Sequence, residues 1–314
     1  MKITASVVCV TFNSVHHVRR LASSLQKQTF RNFEVIIVDN SRNSLIQQYV
    51  ESLQREGDDR FMYLPNKNDG YPGGNVKGVN HARGDFVFIL NPDTRLEEDT
   101  IEILVSQFRH LKKDVMVLVP KIMIRDSKVI NSVGMKRVRE MEDIYMNIGF
   151  LEEDIGQYDT PQLIRAFDGS AFMFRRELLS HTFLFDPHFF FGEETTDLAE
   201  RMSMLGFSAY TCPNALVHHE LRGTVTSPKQ NDRMASIIVR NSLIRTMRNT
   251  QTTMFWRTLL IGICFRNIIG RLITRNNSRA AIIYMRGLAM FILQVGIFIR
   301  NKPTFGQQTE IRLK

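Results

Sequence analysis

Residues 64–94 read LPNKNDGYPGGNVKGVNHARGDFVFILNPDT. A glycine-rich turn leads into a short helix-like segment and then into an unbroken apolar run at 86–90, which stops at Asn91-Pro92-Asp93. Five apolar residues without alternation are the pattern of a strand covered on both faces. Open α/β sheets bind ligands beyond the carboxyl ends of such strands. Pro92, which has no amide hydrogen for a ladder, closes the strand. Gly70, Gly73 and Gly74 are expected to form a turn that lets the backbone approach a polar, phosphorylated molecule. Asp93, just past the strand, is placed to offer a carboxylate to a hard divalent ion. Asn-Pro-Asp is also ordinary turn chemistry, and the residues alone leave both readings open.

The flanking segments repeat the strand-and-helix alternation. A β-branched run at 6–12 is followed by Asn13-Ser14, a turn and helix cap for 15–25. A second strand at 33–38 ends in Asp39-Asn40-Ser41, a helix covers 45–54, and a third strand covers 61–64. Successive βα units collect their loops on one rim. There Asp39 either accepts hydrogen bonds from a ribose or base, or caps the helix at 45–54. A helix at 100–112 and a buried strand at 115–119, closed by Pro120, extend the pattern. From 121 to 161 periodicity fades, and irregular structure or a mobile loop is expected. Order returns at Asp168-Gly169-Ser170-Ala171, where small residues admit a substrate or a neighbouring strand. The acidic cluster Glu193, Glu194 and Asp197 precedes a helix at 196–205, then strands at 207–212 and 216–219, the second ending in His218-His219. These carboxylates and histidines supply a candidate base and a candidate metal ligand, or are structural.

A chain of 314 residues, 43% hydrophobic, is large enough for one sizeable α/β core with an appendage. Cys9, Cys212 and Cys264 are odd in number and widely spaced, which argues against a disulfide framework or a zinc knuckle and for a reducing compartment. The formal charge of +9 is unevenly distributed: residues 231–314 hold fourteen Lys or Arg and two Asp or Glu, a net +12, against −3 for residues 1–230. A basic tail rich in Ile, Leu, Phe and Met suits an anionic membrane surface better than a nucleic acid, for which no reader motif is present. Helices are expected at 232–248, 254–273 and 280–299. The expected placement is peripheral, on the cytoplasmic face of the cell membrane. The last stretch is also long enough for a single span or re-entrant hairpin, with Arg286 the one residue opposing it.

The ordered motifs VVCVTFNS, FEVIIVDNS, NDGYPGGN leading to ILNPDT, DGSAFMFRREL, FDPHFFFGEETTDLAERM and GFSAYTCPNALVHH together resemble the family 2 glycosyltransferases, in particular their rhamnosyltransferase-like branch. The resemblance implies a GT-A fold, a mostly parallel sheet flanked by helices. Residues 1–120 would form a nucleotide-sugar-binding half and 121–230 an acceptor half, with 231–314 a basic amphipathic helical appendage. It implies a nucleoside-diphosphate sugar donor, dTDP- or UDP-linked, a divalent cation (Mg2+ or Mn2+), and a glycan or lipid-linked acceptor.

Carried over by position, Asp39 matches the acid that contacts the nucleotide base, and Thr11, Asn13, Asn68, Gly70 and Asn75 fall in the donor-binding motifs. Asn91 and Asp93 match the diphosphate and metal motif, with Asp93 as metal ligand and His219 as the metal-binding histidine. Gly169 and Ser170 match the acceptor motif, and Asp197 and Arg201 the end of the acidic motif, as a catalytic and an acceptor-binding residue. One position departs from the pattern: Thr195 stands where the family carries its catalytic base, and a hydroxyl cannot act as a base at neutral pH. Glu194 is the replacement expected from a one-residue shift. A catalytically silent nucleotide-sugar or glycan-binding protein on the same fold is the alternative. A dinucleotide-dependent oxidoreductase is disfavoured, because glycines 70, 73 and 74 lie late in the sheet without Gly-x-Gly-x-x-Gly spacing.

Overall fold

The computed structural model describes residues 2–138, 141–186, 188–220, 228–249, 282–283 and 285–293. The chain begins with β1 (Ala5–Thr11), α1 (Val15–Gln26), β2 (Phe33–Asp39), α2 (Leu45–Arg55), β3 (Phe61–Pro65), α3 (Gly70–His81) and β4 (Phe86–Leu90). β5 (Thr94–Leu96), α4 (Thr100–His110) and β6 (Val115–Ile124) follow. Three short strands come next, β7 (Ile130–Ser132), β8 (Met135–Val138) and β9 (Met141–Asn147). Then come β10 (Leu163–Ile164), β11 (Ala171–Arg175), α5 (Glu194–Met204), β12 (Ser208–His219) and α6 (Pro228–Asn249).

The main sheet runs in the order β10-β12-β6-β11-β4-β1-β2-β3, with β5 on β12 and β7 on β6. β1 pairs in parallel with β2 and β4, while β11 is antiparallel to β4 and β6. The sheet is thus a parallel half joined through one reversed strand to a mixed half. Side chains alternate across it as strand geometry requires. Val7 and Cys9 enter a core with α1, α2 and α4, whereas Val8 and Val10 enter a second core with α3 and α5. Burial on both faces explains the unbroken apolar runs.

Register fixes what reaches the rim. Thr11 is paired with Asp39, Asp39 with Pro65, and Leu90 with Ala171. The carboxyl ends of β1, β2 and β4 and the amino end of β11 therefore share one edge. His219 arrives there from β12, opposite Thr94 of β5.

Four expectations change. β6 is not closed by Pro120 but continues to Ile124. The β6–β12 ladder shifts register between Cys212 and Leu216, so the missing donor falls at an irregularity, where proline is tolerated. The same shift joins the two strands expected at 207–212 and 216–219 into one. Residues 121–161 are not a featureless loop: β7 pairs with β6, β8 pairs with β9, and Lys121 Nζ, buried, holds both Asp154 and Asp159. Finally, Gly73 and Gly74 lie within α3 rather than in a turn. A Cβ on Gly74 would stand 2.7 Å from Val10 Cγ1, so this glycine lets α3 lie close against β1.

The chain divides into two compact units, one of residues 1–190 with 194–224 and one of residues 191–193 with 225–314. In the second unit, a Cβ on Gly287 would lie 2.7 Å from Val239 Cβ, so the helical segment at 285–293 lies against α6. The expected helix at 254–273 lies outside the described residues, as do 280–281, 284 and 294–299. Among the described residues no helix is long and apolar enough to cross a membrane.

Candidate active site

Asp93 follows β4 by a short turn, held by the Thr94 amide donating to Asn91 O and the Glu220 amide donating to Asp93 O at 3.0 Å. Its Oδ1 is buried without a hydrogen-bond partner and faces His219 Nε2 at 3.4 Å, an ion-pair distance. The other ring nitrogen of His219 is 3.3 Å from the Asn131 amide group, which sets the ring's orientation. Burial alone would lower the His219 pKa, but contact with Asp93 and the charges of Asp93 and Asp168 carry it above its ordinary value.

Of the other buried atoms without hydrogen-bond partners among the described residues, Thr11 Oγ1, Asn75 Oδ1 and Ser170 Oγ lie on residues of the rim motifs, while Arg60 Nη1 lies elsewhere. Buried polar atoms are ordinarily satisfied, so orphans on residues of the rim motifs are what a ligand-binding surface leaves open. Asp39 is fully buried, accepting from the Ser41 amide at 2.8 Å and lying 3.4 Å from the Tyr63 hydroxyl. Asn13 has φ +52°; its amide donates to Ser41 Oγ, and its side-chain oxygen accepts from Asn43 Nδ2. Asn68, also left-handed at φ +64°, is exposed on the approach to α3. Gly70 has φ +78°, and a Cβ there would meet Phe190 O at 2.2 Å. Its glycine is thus required by the close approach of Phe190, and the Tyr71 amide donates to the same Phe190 carbonyl.

Tyr71, which the motif reading did not single out, reaches the turn before β11. Its hydroxyl donates to Gly169 O. Burial, then Glu194 and Asp168, push its pKa well above the ordinary tyrosine value. Asp168 caps the Gly169-Ser170 turn by accepting from the Ser170 amide at 2.7 Å, and it is approached by Asn147 Nδ2 at 3.3 Å. Asn91 is tied to the same turn, its amide donating to Ser170 O. A Cβ built on Gly169 would lie 3.4 Å from Thr195 Cγ2 and 3.8 Å from Glu194 Oε1. The structure thus brings Gly169, Ser170, Glu194 and Thr195 together, with Glu194 opening α5, where the helix terminus favours a negative charge.

Asp197 and Arg201 pair with each other on α5. Arg201 Nε lies 2.9 Å from Asp197 Oδ2, and its other nitrogens donate to Thr182 Oγ1, Phe183 O and Leu184 O. Both side chains are buried, and the guanidinium stacks on the Phe183 ring. Through these contacts the pair straps residues 182–184 to α5.

Among the described residues, His16, His17 and Glu220 also bring three potential metal-ligating atoms within 4.8 Å of one another. Glu220 already pairs with Arg20 and Arg125, whose charges oppose a cation there. Asp93 and His219 fit a divalent ion better: one buried carboxylate oxygen without a hydrogen bond, one imidazole nitrogen, and remaining coordination positions for ligand oxygens.

The family model for glycosyl transferase family 2 matches residues 6–183, more than half of the chain. The chain belongs to glycosyltransferase family 2. This family 2 member is 31% identical over 104 residues to the GalNAc(5)-diNAcBac-PP-undecaprenol beta-1,3-glucosyltransferase of Campylobacter jejuni, covering 32% of the chain and 33% of that enzyme. It is 29% identical over 117 residues to the poly(ribitol-phosphate) beta-N-acetylglucosaminyltransferase TarS of Staphylococcus aureus, covering 36% of the chain and 20% of TarS. The matches thus span a third or less of these two relatives. The crystal structure of GalNAc-T7 with UDP, GalNAc and Mn2+ superposes with a TM-score of 0.64 at 15% identity, covering 94% of the chain and 57% of that structure. TarS 1-349 in complex with UDP-GlcNAc gives 0.53 at 14% identity, covering 92% and 80%. The glycosyltransferase fold is therefore GT-A.

Proposed function

We propose that this family 2 glycosyltransferase moves a sugar, with inversion, from a nucleoside-diphosphate sugar to a hydroxyl of a glycan or lipid-linked acceptor. The observation that carries the reading is one rim on which Asp93 faces His219 at 3.4 Å and Glu194 stands beside Gly169. Asp93 and His219 would hold Mg2+ or Mn2+, which when bound neutralises charge developing on the departing diphosphate. GalNAc-T7 was crystallised with UDP and Mn2+, and TarS with UDP-GlcNAc, which favours a UDP-sugar over a dTDP-sugar.

Thr11, Asn75 and Ser170 offer their orphaned atoms to the donor, and Asp39 accepts from its base or ribose. Asn13, Asn68 and Asn91 would contribute to the same donor site. The Glu194 carboxylate takes the proton of the acceptor hydroxyl. The acceptor oxygen bonds to the anomeric carbon as that carbon's bond to the diphosphate breaks, and the nucleoside diphosphate leaves from the opposite face. By name, the Campylobacter relative acts on an undecaprenol-diphosphate-linked glycan. Together with the basic, apolar tail, this supports a lipid-linked acceptor met at the cytoplasmic membrane surface during assembly of a cell-surface polysaccharide or glycoprotein glycan.

The test is transfer and donor hydrolysis by the purified full chain over a panel of nucleotide sugars, with and without Mn2+ or Mg2+. Cation-dependent turnover of one donor, lost in Asp93→Ala and reduced in Glu194→Gln, is expected, with the product sugar inverted at its anomeric carbon. A retained configuration would overturn the mechanism. A silent nucleotide-sugar binder is the second reading, favoured by Thr195 at the family's base position; tight binding without turnover, unchanged in Glu194→Gln, would establish it.

A further inference from the structure

The turn at residues 168–170, which leads into β11, is held from several directions. Asp168 Oδ1 accepts from the Ser170 amide at 2.7 Å, and Ser170 O accepts from the Asn91 amide at 2.8 Å, which ties the turn to the end of β4. A further tie comes from α3, where the Tyr71 hydroxyl donates to Gly169 O. Tyr71 is itself fixed at both main-chain polar groups: its amide donates to Phe190 O at 3.0 Å, and its carbonyl accepts from Asn75 Nδ2 at 2.9 Å.

The hydroxyl is the part of Tyr71 that packing does not ask for. The ring lies against the core shared with α3 and α5, its centroid 6.0 Å from that of Phe185, and a phenylalanine would fill the same space. A tyrosine adds a polar tip that needs a partner, and here the partner sits where the turn meets the start of α5. A Cβ on Gly169 would lie 3.4 Å from Thr195 Cγ2, 3.6 Å from the Tyr71 hydroxyl oxygen and 3.8 Å from Glu194 Oε1. Burial, then the charges of Glu194 and Asp168, raise the Tyr71 pKa well above its ordinary value, so the hydroxyl stays a donor at neutral pH.

We propose that Tyr71 is a positioning residue for transfer to a sugar hydroxyl: its hydroxyl sets where the Gly169 main chain stands relative to the Glu194 carboxylate, and with it the seat of the acceptor. The inference rests on Glu194 as the base and deepens that reading. Tyr71 touches no substrate and acts through the turn. Water is small and can approach the base without a fixed seat. A sugar hydroxyl must be presented in one orientation, and a displacement of about 1 Å lowers such a step by up to ~100-fold.

The experiment follows two reactions of the full chain in one preparation: hydrolysis of the UDP-sugar that it turns over, and transfer from that donor to the short prenyl-diphosphate disaccharide that accepts it. Their ratio does not depend on the folded fraction, so a loss of stability leaves it unmoved. Tyr71→Phe, which removes only the hydroxyl, is compared with Glu194→Gln and with Glu34→Gln, a change at the end of β2 away from the rim. In Tyr71→Phe the ratio of transfer to hydrolysis is expected to fall about 10-fold, with the Kd for UDP near the parent value. In Glu34→Gln the ratio is expected to match the parent. An unchanged ratio in Tyr71→Phe, with transfer impaired in Glu194→Gln, overturns the inference alone. A fall that Glu34→Gln reproduces, or that an equally weakened Kd for UDP accompanies, overturns it as well, because Tyr71 would then act through general packing or through the donor. If Glu194→Gln transfers at the parent rate, or the parent shows neither reaction, the assignment of the base fails and the inference falls with it.

Discussion

His219 Nε2 stands 3.4 Å from Asp93 Oδ1, a pairing that joins the end of β12 to the loop after β4. Asn131 lies against the other side of the imidazole ring at 3.3 Å. Partners of this kind orient a metal-binding histidine, and losing one typically costs about 10- to 100-fold in metal affinity. Asn131→Leu is therefore expected to weaken Mn2+ binding, read from free Mn2+ by electron paramagnetic resonance, by about 10-fold. Its kcat should return to near the parent value at saturating Mn2+. Unchanged Mn2+ affinity in both Asn131→Leu and His219→Ala would remove His219 from the ligand set.

Arg201 and Asp197 form a buried ion pair that straps residues 182–184 to α5. Breaking such a pair from one side costs about 3–5 kcal/mol. Arg201→Met is expected to lower unfolding stability by that order in urea titration, and residual activity should follow the folded fraction. A fully folded Arg201→Met with raised acceptor KM would support the acceptor-binding role.

Gly74→Ala separates close packing from ligand contact. Its Cβ would press on Val10 Cγ1 at 2.7 Å, and overpacking of this kind costs about 1–3 kcal/mol. The thermal midpoint should drop, with donor Kd in the folded protein changing little. A donor Kd weakened without loss of stability would return this glycine to the ligand.

Glu34, buried at the start of β2, accepts from Ser6 Oγ, the Arg83 amide and Arg83 Nε, each at 2.7 Å. Burial alone would raise its pKa, but these bonds and the Arg83 charge bring it below the usual glutamate value. A carboxyl depressed in the folded state stabilises it above the unfolded pKa of about 4.3, and the contribution disappears as pH falls through the folded value. Glu34→Gln is expected to cost about 2 kcal/mol at pH 7. The gap to the parent protein should narrow below pH 4 or so, as urea titrations at several pH values would show. A gap constant down to pH 2 or so would mean that ionised Glu34 contributes nothing.

The parallel half was legible because its strands are covered on both faces, so 33–38 and 86–90 read as continuous apolar runs. Pro120 misled because the proline rule assumes a regular ladder, and the β12 irregularity is written in residues far along the chain. The strands within 130–147 escaped notice because their order comes from cross-strand pairing and from contacts of Asn131 and Asn147, not from hydrophobic period. Gly74 was ambiguous in principle, since a phosphate turn and a close helix–sheet approach both ask for glycine. In the candidate site, motif order put forward Asp93, His219, Gly169 and Glu194, and the structure sets Asp93 beside His219 and Gly169 near Glu194. Motif order could not show that Arg201 turns inward, because burial depends on the 182–184 segment that surrounds it. Tyr71 lay in plain view, but nothing local shows that its hydroxyl reaches Gly169.

The crossing of β12 to the rim has a consequence for biosynthesis. A nascent chain emerging from the ribosome can assemble β1 to β4 early, and with them Thr11, Asp39 and Asp93. It has no His219 until β12 has been made and laid between β10 and β6. On the proposed mechanism, a half-made chain would carry Thr11, Asp39 and Asp93 but only one of the two proposed metal ligands, and so could not spend activated sugar before the rest of the catalytic unit is in place.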